Sequence, residues 1–183
     1  DKIRSKELAV KAGLPILMPV LVKNRSYDEI AAAVKEMGFP ILIKSSAGGG
    51  GKGMKRIDNF ADLQPSLDRL ASEAKASFGD DTLFIEKYIE RPRHVEVQIL
   101  ADKYGNTLHL GERDCTIQRR FQKLVEESPC AVIDEKTRRA ICEAAVNLAK
   151  FVNYDSVGTV EFLYDQDTKK FYFCAFVSLW QMV

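Results

Sequence analysis

Residues Ile41 to Met54 read Ile-Leu-Ile-Lys-Ser-Ser-Ala-Gly-Gly-Gly-Gly-Lys-Gly-Met: an apolar run closing on a lysine, then five glycines in six positions with a second lysine among them. Glycines without side chains let consecutive backbone N–H groups converge on one point, and two nearby ammonium groups make that point attractive to phosphate. The stretch therefore reads as a nucleotide-phosphate cradle. Its bland counterpart is a loop that merely closes a β-hairpin.

The flanks decide which cradle it is. The pattern G-x-x-x-x-G-K-[ST] fails in register, because counting back from Gly51-Lys52 puts Ser46 first and Gly53 last. G-x-G-x-x-G fits Gly48, Gly50 and Gly53, but that pattern needs a helix directly after the loop, and Met54 to Ile57 offers no cap before Asn59. A kinase-type flap places its lysine on the strand after the glycines, whereas Lys44 precedes them. Strand, glycine flap, strand is the remaining arrangement.

At 183 residues, with 46% hydrophobic, the chain is sized for one domain or two small ones. A net charge of +1 gives no bulk attraction to nucleic acid or an anionic membrane, so any basic chemistry is local. Cys115, Cys130, Cys142 and Cys174 lack C-x-x-C spacing, which argues against a zinc site or redox pair and suits a reducing cytoplasm, or the mitochondrial matrix in a eukaryote. No run approaches the ~20 apolar residues that span a bilayer. A helical pattern already running at Asp1 suggests a chain that starts inside a longer one.

In chain order, helices are expected over Asp1 to Ala12, from the capping box Ser26 to Glu29 up to Gly38, from Asn59 to Phe78 with a bend or restart near Pro65, and from Asp134 to Val152. Strands are expected at Ile16 to Val22, before and after the flap, at Thr82 to Tyr88, His94 to Leu100, Thr107 to Glu112, Val157 to Tyr164 and Lys170 to Phe176. Arg91-Pro92-Arg93 is expected to break the chain between two strands. In His94 to Leu100, Val95, Val97 and Ile99 share one face and His94, Glu96 and Gln98 the other, either a solvated surface or a site. Arg113 to Glu127 carries Arg113, Arg119, Arg120 and Lys123 among sparse apolar residues: either a merely charged loop, or a segment anchored by those apolar residues with its cations facing an anionic ligand, a nucleic-acid patch being the weaker alternative. Glu161 lies in the otherwise apolar Val157 to Tyr164, where a carboxylate needs a partner unless the strand is an edge facing water; magnesium suits it if phosphates are near.

Taken together, Lys44 to Met54, Glu86-Lys87-Tyr88, Arg91 to Gln98, Glu112-Arg113-Asp114-Cys115, Gln118-Arg119-Arg120, Gln122-Lys123 and Gly158 to Phe162 resemble biotin carboxylase, the ATP-grasp component of biotin-dependent carboxylases of acyl-CoAs and pyruvate. The resemblance runs from Asp1 to Phe173. Carbamoyl-phosphate synthetase shares the fold, but the run around His94 and the Arg-Asp-Cys segment favour the biotin enzymes. The resemblance implies an α+β ATP-grasp fold, with residues 1–17 as helix and connector, 18–88 as a small lid subdomain and 89–183 as part of a larger antiparallel-sheet subdomain.

It also implies chemistry. In this family ATP phosphorylates bicarbonate to carboxyphosphate, and CO2 passes to a ureido nitrogen of biotin. By similarity Lys2 and Lys44 contact ATP phosphates, and Gly48, Gly49, Gly50 and Gly51 close over them. Glu86, Lys87 and Ile89 form the adenine hinge, His94 and Gln118 line the pocket, Lys123 stabilises reacting bicarbonate and phosphate, and Glu161 holds magnesium, or manganese in its place. Implied partners are a biotin carboxyl carrier domain or subunit, a carboxyltransferase component and a second copy of the parent chain, with no nucleic acid and no membrane. Aligned without gaps, the chain departs from the family at Ala175 (the second metal carboxylate), Val177 (a metal-site asparagine), Leu179 (the bicarbonate arginine), Val183 (the general base) and Phe121 (usually histidine). The expectation is a nucleotide-binding portion of a carboxylase that does not turn over alone. Its rival is a non-catalytic nucleotide-binding or assembly module.

Overall fold

The computed structural model describes residues 2–48, 53–120 and 122–178. The chain divides into two compact units, 17–90 on one hand and 1–16 with 91–183 on the other. Helix α1 (Lys2–Lys11) belongs to the second of these.

The unit 17–90 is a four-stranded antiparallel sheet under two helices. Its elements are β1 (Val20–Leu21), α2 (Tyr27–Met37), β2 (Ile41–Ser45), β3 (Met54–Ile57), a 3-10 turn (Phe60–Asp62), α3 (Leu63–Phe78) and β4 (Leu83–Lys87). The strand order is β1-β4-β2-β3. Ser26 caps α2: its hydroxyl accepts from the Glu29 amide at 3.3 Å, and the Glu29 carboxylate accepts from the Ser26 amide at 2.7 Å. The expected restart near Pro65 lies just before it, where the 3-10 turn capped by Asn59 gives way to α3. Proline is tolerated in a first turn, whose N–H groups lack helical acceptors.

Alternation along β2 sends Ile41 and Ile43 into a core with Ile30, Val34, Leu63, Leu67, Leu70 and Ile85. Both isoleucines are fully buried, worth about 1.5–3 kcal/mol each. The same alternation turns Lys44 to the opposite face, so the apolar rows that build the unit also aim its lysine. β2 and β3 pair antiparallel with Lys44 opposite Met54, the strand arrangement expected around the glycines.

The other unit adds β5 (Pro92–Ala101), β6 (Thr107–Arg119), β7 (Gln122–Glu127), α4 (Glu135–Phe151), β8 (Val157–Asp165) and β9 (Lys170–Ser178). These strands form an antiparallel sheet in the order β7-β6-β5-β8-β9. Val95, Val97, Ile99, Val160, Phe162 and Phe173 pack with Ile141, Ala145 and Leu148 of α4 and with Ala9 of α1.

Three expectations are corrected. Pro92 starts β5 instead of breaking the chain, a position where its missing N–H is harmless. The segment Arg113 to Glu127 is not a loop: β6 continues to Arg119 and β7 pairs back on it, with register shifts between Asp114 and Gln118. Glu161 is on no edge, since β8 lies between β5 and β9.

Candidate functional site

The five-stranded sheet covers one face with helices and gives the other to polar side chains. Antiparallel register sets Glu96 of β5 directly opposite Arg113 of β6 on one side and Glu161 of β8 on the other. Directly opposed residues share a face, so three charges from three strands meet there. Lys123 joins them from β7. Its ammonium contacts the Glu96 carboxylate and lies 3.1 Å from Glu161 Oε1. Arg113 Nη2 lies 2.8 Å from Glu96 Oε2, and His94 Nε2 sits 3.4 Å from Glu96 and 3.5 Å from Glu161. The Gln118 amide is 3.0 Å from His94 Nδ1 and donates to the Cys115 carbonyl at 2.7 Å.

Glu96 is completely buried, and a lone carboxylate there would be expensive. Burial raises its pKa, but His94, Lys123 and Arg113 outweigh that and hold it at about 2. Burial likewise works against the His94 imidazolium, and the Glu161 and Glu96 carboxylates reverse this, pushing its pKa up to about 9. Lys123 is raised and Glu161 lowered in the same way, each against its own desolvation. At neutral pH the cluster is fully ionised, with fixed cations in a partly dry setting. Such an array stabilises developing anionic charge without reorganising.

The same cluster offers a donor set for a cation. One ligand atom from each of His94, Glu96 and Glu161 lies within 4.8 Å of the others. Despite the ion pairs, neither Glu96 oxygen nor His94 Nε2 makes an aligned hydrogen bond. Buried carboxylate oxygens in this condition leave coordination to spare, whereas His94, held as an imidazolium, has no lone pair to give a metal. Magnesium needs only one or two protein carboxylates when phosphate oxygens and water supply the rest, so the residues fit it. The neighbouring strand adds nothing: Ala175 faces Glu161 and Val177 faces Thr159 on β9.

The structure brings His94, Gln118, Lys123 and Glu161 together on one sheet face. Glu96 and Arg113 join them: the sequence places Glu96 on the same face as His94 and Arg113 among the cations of its segment, without giving either a role. Their signal was present in the strict alternation of β5 and in the fact that an arginine must answer a buried glutamate. The Glu112-Arg113-Asp114-Cys115 motif splits by parity. Arg113 goes to the polar face, whereas Glu112 accepts from Arg138 Nε of α4 at 3.0 Å and from the Cys130 amide at 2.9 Å.

The other predicted residues lie in the unit 17–90. Lys44 Nζ is 2.7 Å from Glu86 Oε2. Lys87 Nζ donates to the Gly38 and Phe39 carbonyls, both at 3.0 Å, where it caps the end of α2. Ile89 is 8% exposed and Gly48 is buried. Gly49, Gly50, Gly51, Phe121, Leu179, Val183 and the side chain of Lys2 lie outside the described residues.

The sequence profile described as "Carbamoyl-phosphate synthase L chain, ATP binding domain" matches residues 1–177. The chain belongs to this family. Within it the chain is 51% identical over 173 residues to the mitochondrial propionyl-CoA carboxylase alpha chain of Sus scrofa, covering 94% of this chain and 24% of that one. A Campylobacter jejuni biotin carboxylase, solved as a β-γ-ATP complex, superposes with a TM-score of 0.88 at 42% identity, covering 97% of this chain and 40% of the other. The biotin carboxylase domain dimer of Hydrogenobacter thermophilus 2-oxoglutarate carboxylase, solved with MgADP, ADP and bicarbonate, gives 0.86 at 43% identity, covering 96% and 39%. The family member described here thus has an α+β ATP-grasp fold of biotin carboxylase type. It spans about a quarter of the curated relative and two fifths of the solved chains.

Proposed function

We propose that this chain is the nucleotide-binding portion of a biotin carboxylase whose parent enzyme uses ATP and bicarbonate to carboxylate biotin, and that the chain alone does not turn over. The observation that carries this reading is the polar sheet face: Lys123, His94 and Arg113 gathered on Glu96 and Glu161, with Ala175 opposite Glu161 where the family places a second carboxylate.

In this reading Lys44 and Lys2 bind phosphates under the glycine stretch from Gly48 to Gly51. Backbone groups at Glu86, Lys87 and Ile89 read the adenine edge, and His94 and Gln118 hold the nucleotide. Lys123, kept charged and in place by two carboxylates, faces the oxygens of bicarbonate and the transferring phosphoryl group, where a fixed cation matters most. Glu161 would hold magnesium, with Glu96 and His94 beside it. When bound, that ion neutralises phosphate charge and orients the phosphoryl group. Ala175 and Val177 offer it no ligand atom, which leaves Glu161 alone of the three positions that the family uses to hold the metal.

The mitochondrial relative supports a mitochondrial location if the parent enzyme is eukaryotic. Among the described residues no helix is long and apolar enough to cross a membrane. A relative solved as a domain dimer supports self-association of the parent enzyme, and the carboxylase relatives support a biotin carrier and a carboxyltransferase as its partners. Phosphate release from MgATP, followed with and without bicarbonate and free biotin, tests the proposal. No bicarbonate-dependent, biotin-stimulated release is expected, and its appearance would overturn the claim.

A further inference from the structure

Beyond the last residue of β4 the chain runs through Tyr88, Ile89 and Glu90 without regular structure, and one arginine from two strands away reaches over to hold it. Arg56 lies on β3, opposite Leu42 of β2, which is itself opposite Glu86 of β4. Directly opposed residues share a face, so the Arg56 stem starts on the face of Glu86, two strand spacings or roughly 10 Å from it. The long side chain crosses that gap. Its guanidinium carbon stands 4.6 Å from the centre of the Tyr88 ring. Nη1 donates to Glu90 Oε2 and Nη2 to Glu90 Oε1, both at 3.2 Å, a two-pronged grip. Asp58 steadies the same group, accepting from Nε at 2.8 Å.

These contacts bracket Ile89. The Tyr88 amide donates to the Pro40 carbonyl at 3.1 Å, Lys87 is held by the end of α2, and Arg56 takes the side chains on either side of Ile89. Exposed ion pairs add little to global stability, and the side chains of Arg56, Asp58 and Glu90 are 40%, 59% and 52% exposed. The effect is local. Past the end of β4 little ladder remains to fix the backbone, so a planar fork that pins residues 88 and 90 narrows the positions open to residue 89. We propose that Arg56 is a positioning residue for the segment 87–90, holding the Ile89 backbone where it meets the edge of an adenine base. Less freedom is then lost when the base arrives. A lysine at 56 offers no fork and stacks less well on an aromatic face, so it restores only part of this. The inference rests on the reading of Glu86, Lys87 and Ile89 as the adenine hinge.

Calorimetric titration of the chain with MgATP and, separately, with magnesium inosine triphosphate tests it. The two ligands share sugar and phosphates and differ at the base edge, where inosine has an oxygen in place of the amino group. Wild type is expected to prefer MgATP. R56M is expected to weaken MgATP by roughly 3- to 10-fold and the inosine nucleotide by less than about twofold, with R56K between wild type and R56M. E90Q is expected to lose part of the same preference, and R56M/E90Q no more than R56M alone. Equal losses for the two nucleotides in R56M would overturn the inference, as would an unchanged MgATP affinity or an additive loss in the double variant. A melting curve showing that R56M no longer folds would make Arg56 a structural residue and overturn it too. A wild type that binds both nucleotides equally overturns the hinge reading, and one that binds neither overturns the nucleotide reading itself; this inference falls with either.

Discussion

Replacing Lys123 with methionine keeps most of the stem volume but removes an ammonium that touches both Glu96 and Glu161. Stripping one partner from a buried ion pair typically costs ~3–5 kcal/mol, because the remaining charge is stranded. Here the loss is smaller: Arg113 still sits 2.8 Å from Glu96, and the Lys123 side chain is 30% exposed. About 2 kcal/mol is expected, or roughly 4–8 °C in Tm for a chain of this length. E161Q removes one of the two negative charges and should be milder. In the K123M/E161Q double variant the charge imbalance is partly repaired, so its destabilisation should fall short of the summed single costs by about 1 kcal/mol. Thermal melting followed by circular dichroism at pH 7.5 measures all three. Strictly additive losses would show that Lys123 and Glu161 do not share an electrostatic unit, and the fixed-cation argument would fail with them.

Ala175→Glu sets a second carboxylate opposite Glu161, with Cβ atoms about 5 Å apart. Without metal the like charges should lower Tm by a few degrees, and millimolar magnesium should reverse the sign; equal magnesium effects on variant and wild type would contradict this. His94→Gln removes an imidazolium whose pKa is raised from 6.5 to about 9. At ~1.4 kcal/mol per pH unit its contribution is about 3 kcal/mol, fully present below pH 6.5 and lost as pH rises through 9. The stability gap between wild type and H94Q should narrow over that window in urea titrations, and a pH-independent gap would refute it. Gly53 adopts φ +72°, and a Cβ built there would lie 2.2 Å from Ser45 Oγ. Gly53→Ala should cost about 1–2 kcal/mol, with Ser45→Ala relieving the steric part; no relief in the double variant would contradict the contact.

What was legible in the sequence followed from periodicity. Ile41 and Ile43, Val95, Val97 and Ile99, and the Ser26 to Glu29 capping box each repeat at the spacing their element demands, so α2, β2 and β5 could be placed without a structure. Arg113 to Glu127 misled for a physical reason. Its apolar positions are sparse because one face meets charged partners and the register shifts across Thr116, so neither period of a strand nor of a helix survives. Pro92 misled because proline is read as a breaker, although at a strand's first residue it removes no needed donor. In the site, alternation exposed His94, Glu96 and Gln98 as one face, but only pairing across strands shows that Arg113, Lys123 and Glu161 answer Glu96. The same holds for Arg56, whose contact with Glu90 joins positions 34 apart in the chain.

Isothermal titration of the chain with MgATP, set beside K44M, tests the central claim most directly. The account predicts saturable one-to-one binding by the wild type and a loss of at least about tenfold in K44M. Absence of saturable binding, or equal affinity in both proteins, would contradict it.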